Sequence, residues 1–329
     1  MGIIKERGRI NKAIRNSKTI FLMAHKNLDL DALGSQIGMY MLLKKRNKKN
    51  IYIIIDDTNH EMGVEKVLRE LEGCINIIRS ESINDYLYPK LSKNLLIILD
   101  TNKSDLVQNK EVLNIIDNKI IIDHHDLGKT TIKDAIIIDD NKASSTCEMI
   151  ANLIEYYDVE IESYYATILL SGIVLDTNNF TLSTTADTYY TAYFLASLGA
   201  SAKKVQYLLK QDIEEYTERQ KLLSAIETIN GKVAFTKASA NTHYRREDLA
   251  KVADTLLFFN NIEASFVVGK INKNLIGVSA RSLGNYDINK ILKKIGGGGD
   301  STSGAAVFQN STISKVEQEI KRLLKEEGE

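Results

Sequence analysis

The sequence predicts an α/β fold: a mainly parallel sheet with helices on both faces, a helical connector, and a smaller α/β domain. Three observations predict it. Short continuous apolar runs alternate with amphipathic stretches from about residue 19 to residue 140, as in a parallel sheet whose strands are covered on both faces. The following stretch, to about residue 229, reads as one helix after another. Beyond residue 231 strand and helix patterns alternate again. These shifts divide the chain into 1–200, a connector at 201–229, and 230–329.

In chain order, the runs 19–24, 51–55, 94–99, 119–122 and 135–138 are predicted strands. Between the first of them, 31–46 and 61–71 place apolar residues at helical spacing, so strand, helix and strand follow one another with right-handed crossovers. Helices are predicted over 145–157, 161–175, 186–198 and 213–229. In the second of these, Ala166, Leu169, Leu170, Ile173 and Val174 follow the i, i+3, i+4 spacing of a buried face. Strands are predicted again at 232–236, 263–270 and 275–281.

Composition narrows the function. The chain has 329 residues, 43% of them hydrophobic, enough for one large or two ordinary cores. Lysine plus arginine equals aspartate plus glutamate at 43 each. That balance argues against binding long nucleic acid, which needs a basic footprint, and leaves a small anionic ligand open. Cys74 and Cys147 lie far apart and form no metal or redox spacing, which reads as two reduced thiols in an intracellular protein. No apolar stretch approaches the roughly 18 residues that span a bilayer, so no membrane contact by this chain and a cytoplasmic location are expected.

The chemistry concentrates where apolar runs end. His25, Asp29 and Asp31 follow the first strand, Asp100 the third, and Asp123, His124 and His125 the fourth. In open parallel sheets ligands bind outside the carboxyl ends of the strands, so all three groups point to one edge. Asp176 ends the helix over 161–175, facing the negative end of its dipole, where a bound cation would offset the repulsion. Each group alone has a structural alternative, a helix cap or a turn. Together, four aspartates and two histidines exceed one four-coordinate zinc and suit two oxygen-preferring ions, manganese or magnesium. Two such ions about 3.5–4 Å apart clamp a phosphoryl group and activate a water. The residues alone therefore reach a dinuclear metallohydrolase or phosphoesterase. His60 and His243 lack such neighbours and read as ordinary structural residues.

The stretch from His25 to Ser35, Asp100-Thr101, Asp123-His124-His125 and Gly172-Ile173-Val174-Leu175-Asp176-Thr177 resembles the DHH phosphoesterase superfamily. Val278-Ser279-Ala280-Arg281-Ser282 and the run Gly296, Gly297, Gly298, Gly299 resemble its associated DHHA1 substrate-binding domain. Ala143-Ser144-Ser145-Thr146 with Glu148, and the segment from Asp176 to Thr181, resemble the catalytic half of membrane-anchored cyclic di-AMP phosphodiesterases. Those enzymes carry transmembrane, PAS and degenerate GGDEF segments upstream, so the chain reads as an excised catalytic region or a naturally short form.

The resemblance implies a DHH catalytic domain at 1–200 and a DHHA1 domain at 230–329. It also implies manganese-dependent hydrolysis of cyclic di-AMP to linear 5′-pApA, by water activated between two Mn2+ ions, in a homodimer. His25, Asp29 and Asp100 would hold one ion. Asp31, Asp100, His124 and Asp176 would hold the other, with Asp100 bridging. His125 would contact the phosphate and Asp123 would orient a histidine, while Arg281 and the four glycines would meet the substrate. Ser144 and Ser145 would donate to a phosphate, or Ser144 would cap the following helix. The family places a histidine directly after the glycine run; this sequence has Asp300, which puts the inherited substrate geometry in question. The alternatives are a short-oligonucleotide exonuclease or 3′-phosphoadenosine 5′-phosphate phosphatase, and a nucleotide sensor with weakened turnover.

Overall fold

The computed structural model describes residues 6–56, 60–239, 242–299 and 301–326. They form two compact units, Met1–Lys210 and Gln211–Glu329. In the first unit a helix, α1 (Arg7–Asn16), precedes β1 (Thr19–Met23), α2 (Leu30–Lys45), β2 (Asn50–Ile54), α3 (Met62–Glu70) and β3 (Ile77–Ile78). Then come β4 (Asn94–Leu99), α4 (Lys110–Ile115), β5 (Lys119–Asp123) and β6 (Ile136–Asp139). Four helices close the unit: α5 (Thr146–Tyr156), α6 (Ser163–Asp176), α7 (Ala186–Ser197) and α8 (Ala202–Leu208).

The sheet order is β3-β2-β1-β4-β5-β6, and every neighbouring pair is parallel. Both faces are covered, because alternate side chains of a strand point to opposite sides. Ile20, Leu22, Leu95 and Ile97 join α2, α5 and α6 in the larger core. Phe21, Met23, Leu96 and Ile98 meet Val112 and Leu113 of α4 on the other face. Each such side chain, wholly removed from water, contributes about 1.5–3 kcal/mol. The chain winds one way from β1 to β3 and the other way from β4 to β6. The carboxyl ends of β1 and β4 therefore flank the reversal, where open α/β sheets form their crevice.

Close helix contact completes the frame. A Cβ at Gly34 in α2 would lie 2.7 Å from Cys147 Sγ, and one at Gly172 in α6 would lie 2.5 Å from the same sulfur. Only a bare Cα lets α2, α5 and α6 meet this closely.

The second unit contains α9 (Ile213–Ser224), β7 (Glu227–Ile229), β8 (Val233–Lys237), α10 (Arg246–Leu256), β9 (Ala264–Asn272) and β10 (Leu275–Ser282). It ends with α11 (Ile288–Lys293), β11 (Gly298–Gly299), β12 (Ser303–Gln309) and α12 (Ile313–Glu326). Its sheet runs β11-β12-β10-β9-β8-β7, parallel between β8 and β9 and antiparallel elsewhere. Helices α11 and α12 cover one face, with Phe235 and Phe266 beneath them, and α9 and α10 cover the other. The helix predicted over 213–229 stops at Ser224, and Glu227–Ile229 is a strand instead. Asn230 and Gly231 sit at φ 52° and 69°, the left-handed turn that folds β7 back onto β8; the helical periodicity upstream masked this Asn-Gly signal.

Candidate metal centre

The loop after β1 is short because Asp29 starts α2 at once. Its Oδ1 accepts from the amides of Asp31 (3.0 Å) and Ala32 (2.9 Å), a helix N-cap. Its Oδ2 faces the other way, 3.7 Å from His25 Nε2. Cap and site residue are thus the same side chain. The His25 ring is oriented by its other nitrogen, for Nδ1 lies 2.7 Å from the carbonyl oxygen of Lys26. A carbonyl only accepts, so Nδ1 carries a proton, and this contact turns Nε2 toward Asp29 and toward Asp100 Oδ2, 3.2 Å away.

Asp100 ends β4 in the left-handed region, at φ 60°, a conformation a non-glycine residue adopts at a cost of about 1–3 kcal/mol. It is almost wholly buried. Its Oδ1 accepts the Thr146 hydroxyl at 3.1 Å and lies 3.5 Å from His124 Nε2 and 3.8 Å from His125 Nδ1. His124 Nε2 is also 3.2 Å from Asp176 Oδ2 at the end of α6, yet neither carboxylate is aligned to form a hydrogen bond with that buried nitrogen. Asp31 is fully buried; the first two amides of α5 reach its carboxylate, Thr146 N to Oδ2 and Cys147 N to Oδ1, each at 2.8 Å.

The electrostatics follow from this crowding. Burial raises the Asp31 carboxyl well above its usual range, and the charges of Asp100 and Asp176 add to it. Burial likewise raises Asp29 and Asp176. Burial would lower His25, but Asp29 and Asp100 outweigh it and push it up to about 10. His124 is raised in the same way by Asp100 and Asp176. Asp100, despite its burial, is held well below the carboxylate range by His124 and His25.

Buried carboxylates crowded around imidazole nitrogens are held together by protons on those rings, a role that a cation can take over. Donor atoms of three triads converge to within 4.8 Å: His25, Asp29 and Asp100; Asp31, His124 and Asp176; and Asp100, His124 and His125. Asp100 stands in two of the three. Imidazole nitrogen and carboxylate oxygen are ordinary ligands of divalent metals, so the cluster could hold metal ions. Among the described residues, the triads draw on His25, Asp29 and Asp31 after β1, Asp100 after β4, His124 and His125 after β5, and Asp176 at the end of α6.

A family model described as "DHH family, N-terminal domain" matches residues 19–173, and one described as "DHHA1 domain" matches 230–326. The chain carries a DHH-family domain followed by a DHHA1 domain. The DHH match covers every residue of the candidate metal centre except Asp176, just beyond it, and the DHHA1 match lies in the second unit. The chain is 34% identical to the cyclic-di-AMP phosphodiesterase PdeA of Listeria monocytogenes, over 94% of this chain and 48% of that protein. It is 32% identical to the cyclic-di-AMP phosphodiesterase GdpP of Geobacillus thermodenitrificans, over 96% and 48% respectively. The chain thus spans about half the length of these curated relatives. Among solved structures, an exopolyphosphatase-related protein from Bacteroides fragilis superposes with a TM-score of 0.79 at 22% identity, covering 97% of each chain; this shows a common fold. No described helix is long and apolar enough to cross a membrane.

Around the DHH centre, Asp123 is fully buried; its Oδ1 accepts from His125 Nδ1 at 2.8 Å and its Oδ2 from Asn102 Nδ2 at 2.6 Å. His125, with 52% of its side chain exposed, is the open member of the cluster. Asn102 was not singled out from the sequence, where it reads as a turn residue after Asp100-Thr101. Ser144 and Ser145 both have their hydroxyl oxygens engaged at the start of α5. Ser144 Oγ donates to Glu148 Oε2 at 2.6 Å, Ser145 Oγ caps α5 by accepting from Glu148 N, and both residues are buried. The cap expected at Ser144 falls one residue later.

In the DHHA1 domain, Arg281 Nε donates to Asp254 Oδ1 at 2.6 Å and Nη1 to Ser279 Oγ at 3.3 Å. The glycine run is partly a strand: Gly298 pairs with Ala305 and Gly299 with Gly304. A Cβ at Gly297 would stand 2.6 Å from the Ala305 carbonyl oxygen, and one at Gly299 2.1 Å from that of Ser303. These two glycines therefore serve backbone contact with β12. Gly296, at φ 75°, has open space where a Cβ would stand. Asp300 lies outside the described residues.

Proposed function

We propose that the chain is a manganese-dependent phosphodiesterase that hydrolyses cyclic di-AMP to linear 5′-pApA. The observation that supports this most is the buried centre at the sheet's reversal, where four carboxylates and two imidazoles bring potential metal-ligating atoms together. The names of the relatives, which match nearly the whole of this chain, supply the substrate class. His25, Asp29 and Asp100 would hold one Mn2+ ion, and Asp31, Asp100, His124 and Asp176 a second, with Asp100 shared. When bound, such ions neutralise charge on a phosphoryl group and make water more acidic.

The chain's own groups account for the rest. Asp123 holds His125 by Nδ1, so Nε2 is the free ring atom, and the half-open ring can meet a phosphate oxygen or give a proton to the departing 3′ oxygen. Water adds to one phosphorus, the bond to the 3′ oxygen breaks, and the product keeps a 5′ phosphate. Arg281, with its Asp254 partner, would neutralise a second phosphate. The zero net charge favours a dinucleotide over a long polymer. We take the working assembly to be a homodimer, which sedimentation in an analytical ultracentrifuge resolves directly.

The test is product analysis of the purified chain with manganese on cyclic di-AMP, pApA and 3′-phosphoadenosine 5′-phosphate. Conversion of cyclic di-AMP to pApA is the expected result. Faster turnover of either linear substrate would move the assignment to a short-oligonucleotide nuclease or phosphatase, and tight binding without turnover to a sensor. Asp100→Asn tolerates the left-handed backbone and should drop activity below about 1% of the parent, because even an indirect metal partner is worth about 10–100-fold.

A further inference from the structure

We propose that Thr146 is a positioning residue that fixes the spacing of the Asp31 and Asp100 carboxylates, and through it the spacing of the two metal sites. The inference rests on the metal-centre reading above and goes beyond it, because Thr146 is not one of the ligands. Its two polar groups go to different carboxylates. The backbone N–H donates to Asp31 Oδ2 at 2.8 Å, and the hydroxyl donates to Asp100 Oδ1 at 3.1 Å. Asp31 comes from the start of α2 and Asp100 from the end of β4, so a single residue of α5 ties together side chains from two separate segments.

Several features make this tie rigid. Thr146 is the first residue of α5, directly after the Ser145 cap, where the first amides of a helix have no partner within it. The amides of Thr146 and Cys147 are spent on the two oxygens of Asp31, which fixes the plane of that carboxylate. The Thr146 side chain is fully buried, and its branched Cβ restricts χ1, so the hydroxyl is aimed rather than free to rotate. It is also a neutral donor. The histidines around Asp100 hold it only as far as their charge allows, whereas a hydroxyl holds it in every protonation state. Each carboxylate oxygen has a second lone pair left for a cation.

The test compares Thr146→Val with Thr146→Ser. Valine keeps the amide, the branched shape and the burial and removes only the hydroxyl; serine restores the hydroxyl. Mn2+ affinity is measured by isothermal titration calorimetry on the purified full chain, alongside the manganese-induced rise in melting temperature. Thr146→Val should bind Mn2+ about 10–100-fold more weakly, the usual effect of removing a partner of a metal ligand, with a smaller manganese-induced rise, and Thr146→Ser should return most of that affinity. Equal affinity of Thr146→Val and the parent chain overturns the proposal and leaves the metal-centre reading standing. A parent chain that binds no Mn2+ overturns both. Should Thr146→Val fail to fold, Thr146→Ala is compared with Thr146→Ser, and equal affinities of those two overturn the proposal.

Discussion

Replacing Gly172 by alanine puts one methyl group where α6 meets α2 and α5. The new Cβ would stand 2.5 Å from Cys147 Sγ and 2.9 Å from both the Cα and Oδ1 of Asp31. Two of these neighbours belong to Asp31, which is held by two amides of α5, so relief requires the helices themselves to move. Overpacking of this kind costs about 1–3 kcal/mol, and contact with fixed backbone places it toward the upper end. Alanine in mid-helix returns about 0.5–1 kcal/mol relative to glycine. The net loss is about 2 kcal/mol, which in a unit of this size corresponds to roughly 4–8 °C in melting temperature. Gly8→Ala is the matched control, since nothing lies within 4 Å of a Cβ there and only the helical gain applies. Thermal melts followed by circular dichroism, with and without manganese, measure both. Because Asp31 is displaced, Gly172→Ala should also lose part of the manganese-induced rise. A Gly172→Ala protein that melts at or above the parent, with its manganese response intact, would refute the packing argument.

Asp29 separates cap from ligand: Asp29→Asn keeps an oxygen for the amides of Asp31 and Ala32 and should melt near the parent, whereas Asp29→Ala should lose about 1 kcal/mol more. Both should lose turnover, and equal melting temperatures for the two variants would contradict the capping role. In the second unit, Asp248 Oδ1 accepts from Arg219 Nη1 at 2.7 Å, with both side chains mostly buried. Burial would raise the Asp248 carboxyl, but Arg245 and Arg219 outweigh it and hold it below the usual range. A carboxyl depressed in the folded state adds stability that is complete above its unfolded value, near about 3.9, and drains away as pH falls through the folded value. Asp248→Ala should therefore cost about 1–3 kcal/mol at neutral pH, since Arg219 keeps Gln211 and, at 3.9 Å, Glu215, and its penalty should shrink in melts below about pH 4. A penalty that does not change with pH would show that the pair is not the cause.

Much of the frame was legible because parallel strands covered on both faces must be continuous apolar runs, as in Leu95-Leu96-Ile97-Ile98-Leu99. The positions of His25, Asp29, Asp31, Asp100 and His124 were legible for a related reason: polar side chains directly after such runs have one place to go, the sheet's carboxyl edge; Asp176 was legible instead as a carboxylate at the end of an apolar helix. What periodicity could not carry is which donor each oxygen meets. Thr146 and Asn102 look like ordinary helix-start and turn residues, and their roles depend on contacts with Asp31, Asp100 and Asp123, each distant in sequence. Short helices such as Lys110–Ile115 and Ala202–Leu208 span too few turns to show a period. The strand at Glu227–Ile229 lay hidden at the end of a helical pattern, marked only by Asn230-Gly231.

The centre is gathered from four separate stretches of chain, and the last of them, Asp176, lies at the end of α6. On the ribosome, where chains emerge from the N-terminus and domains fold as units, His25, Asp29 and Asp31 are outside long before Asp176 and the α5 amides that hold Asp31. A nascent chain at that stage has carboxylates but no cage, so it has little means to trap a stray ion in the wrong geometry. The order of synthesis leaves the centre incomplete until the domain is nearly whole.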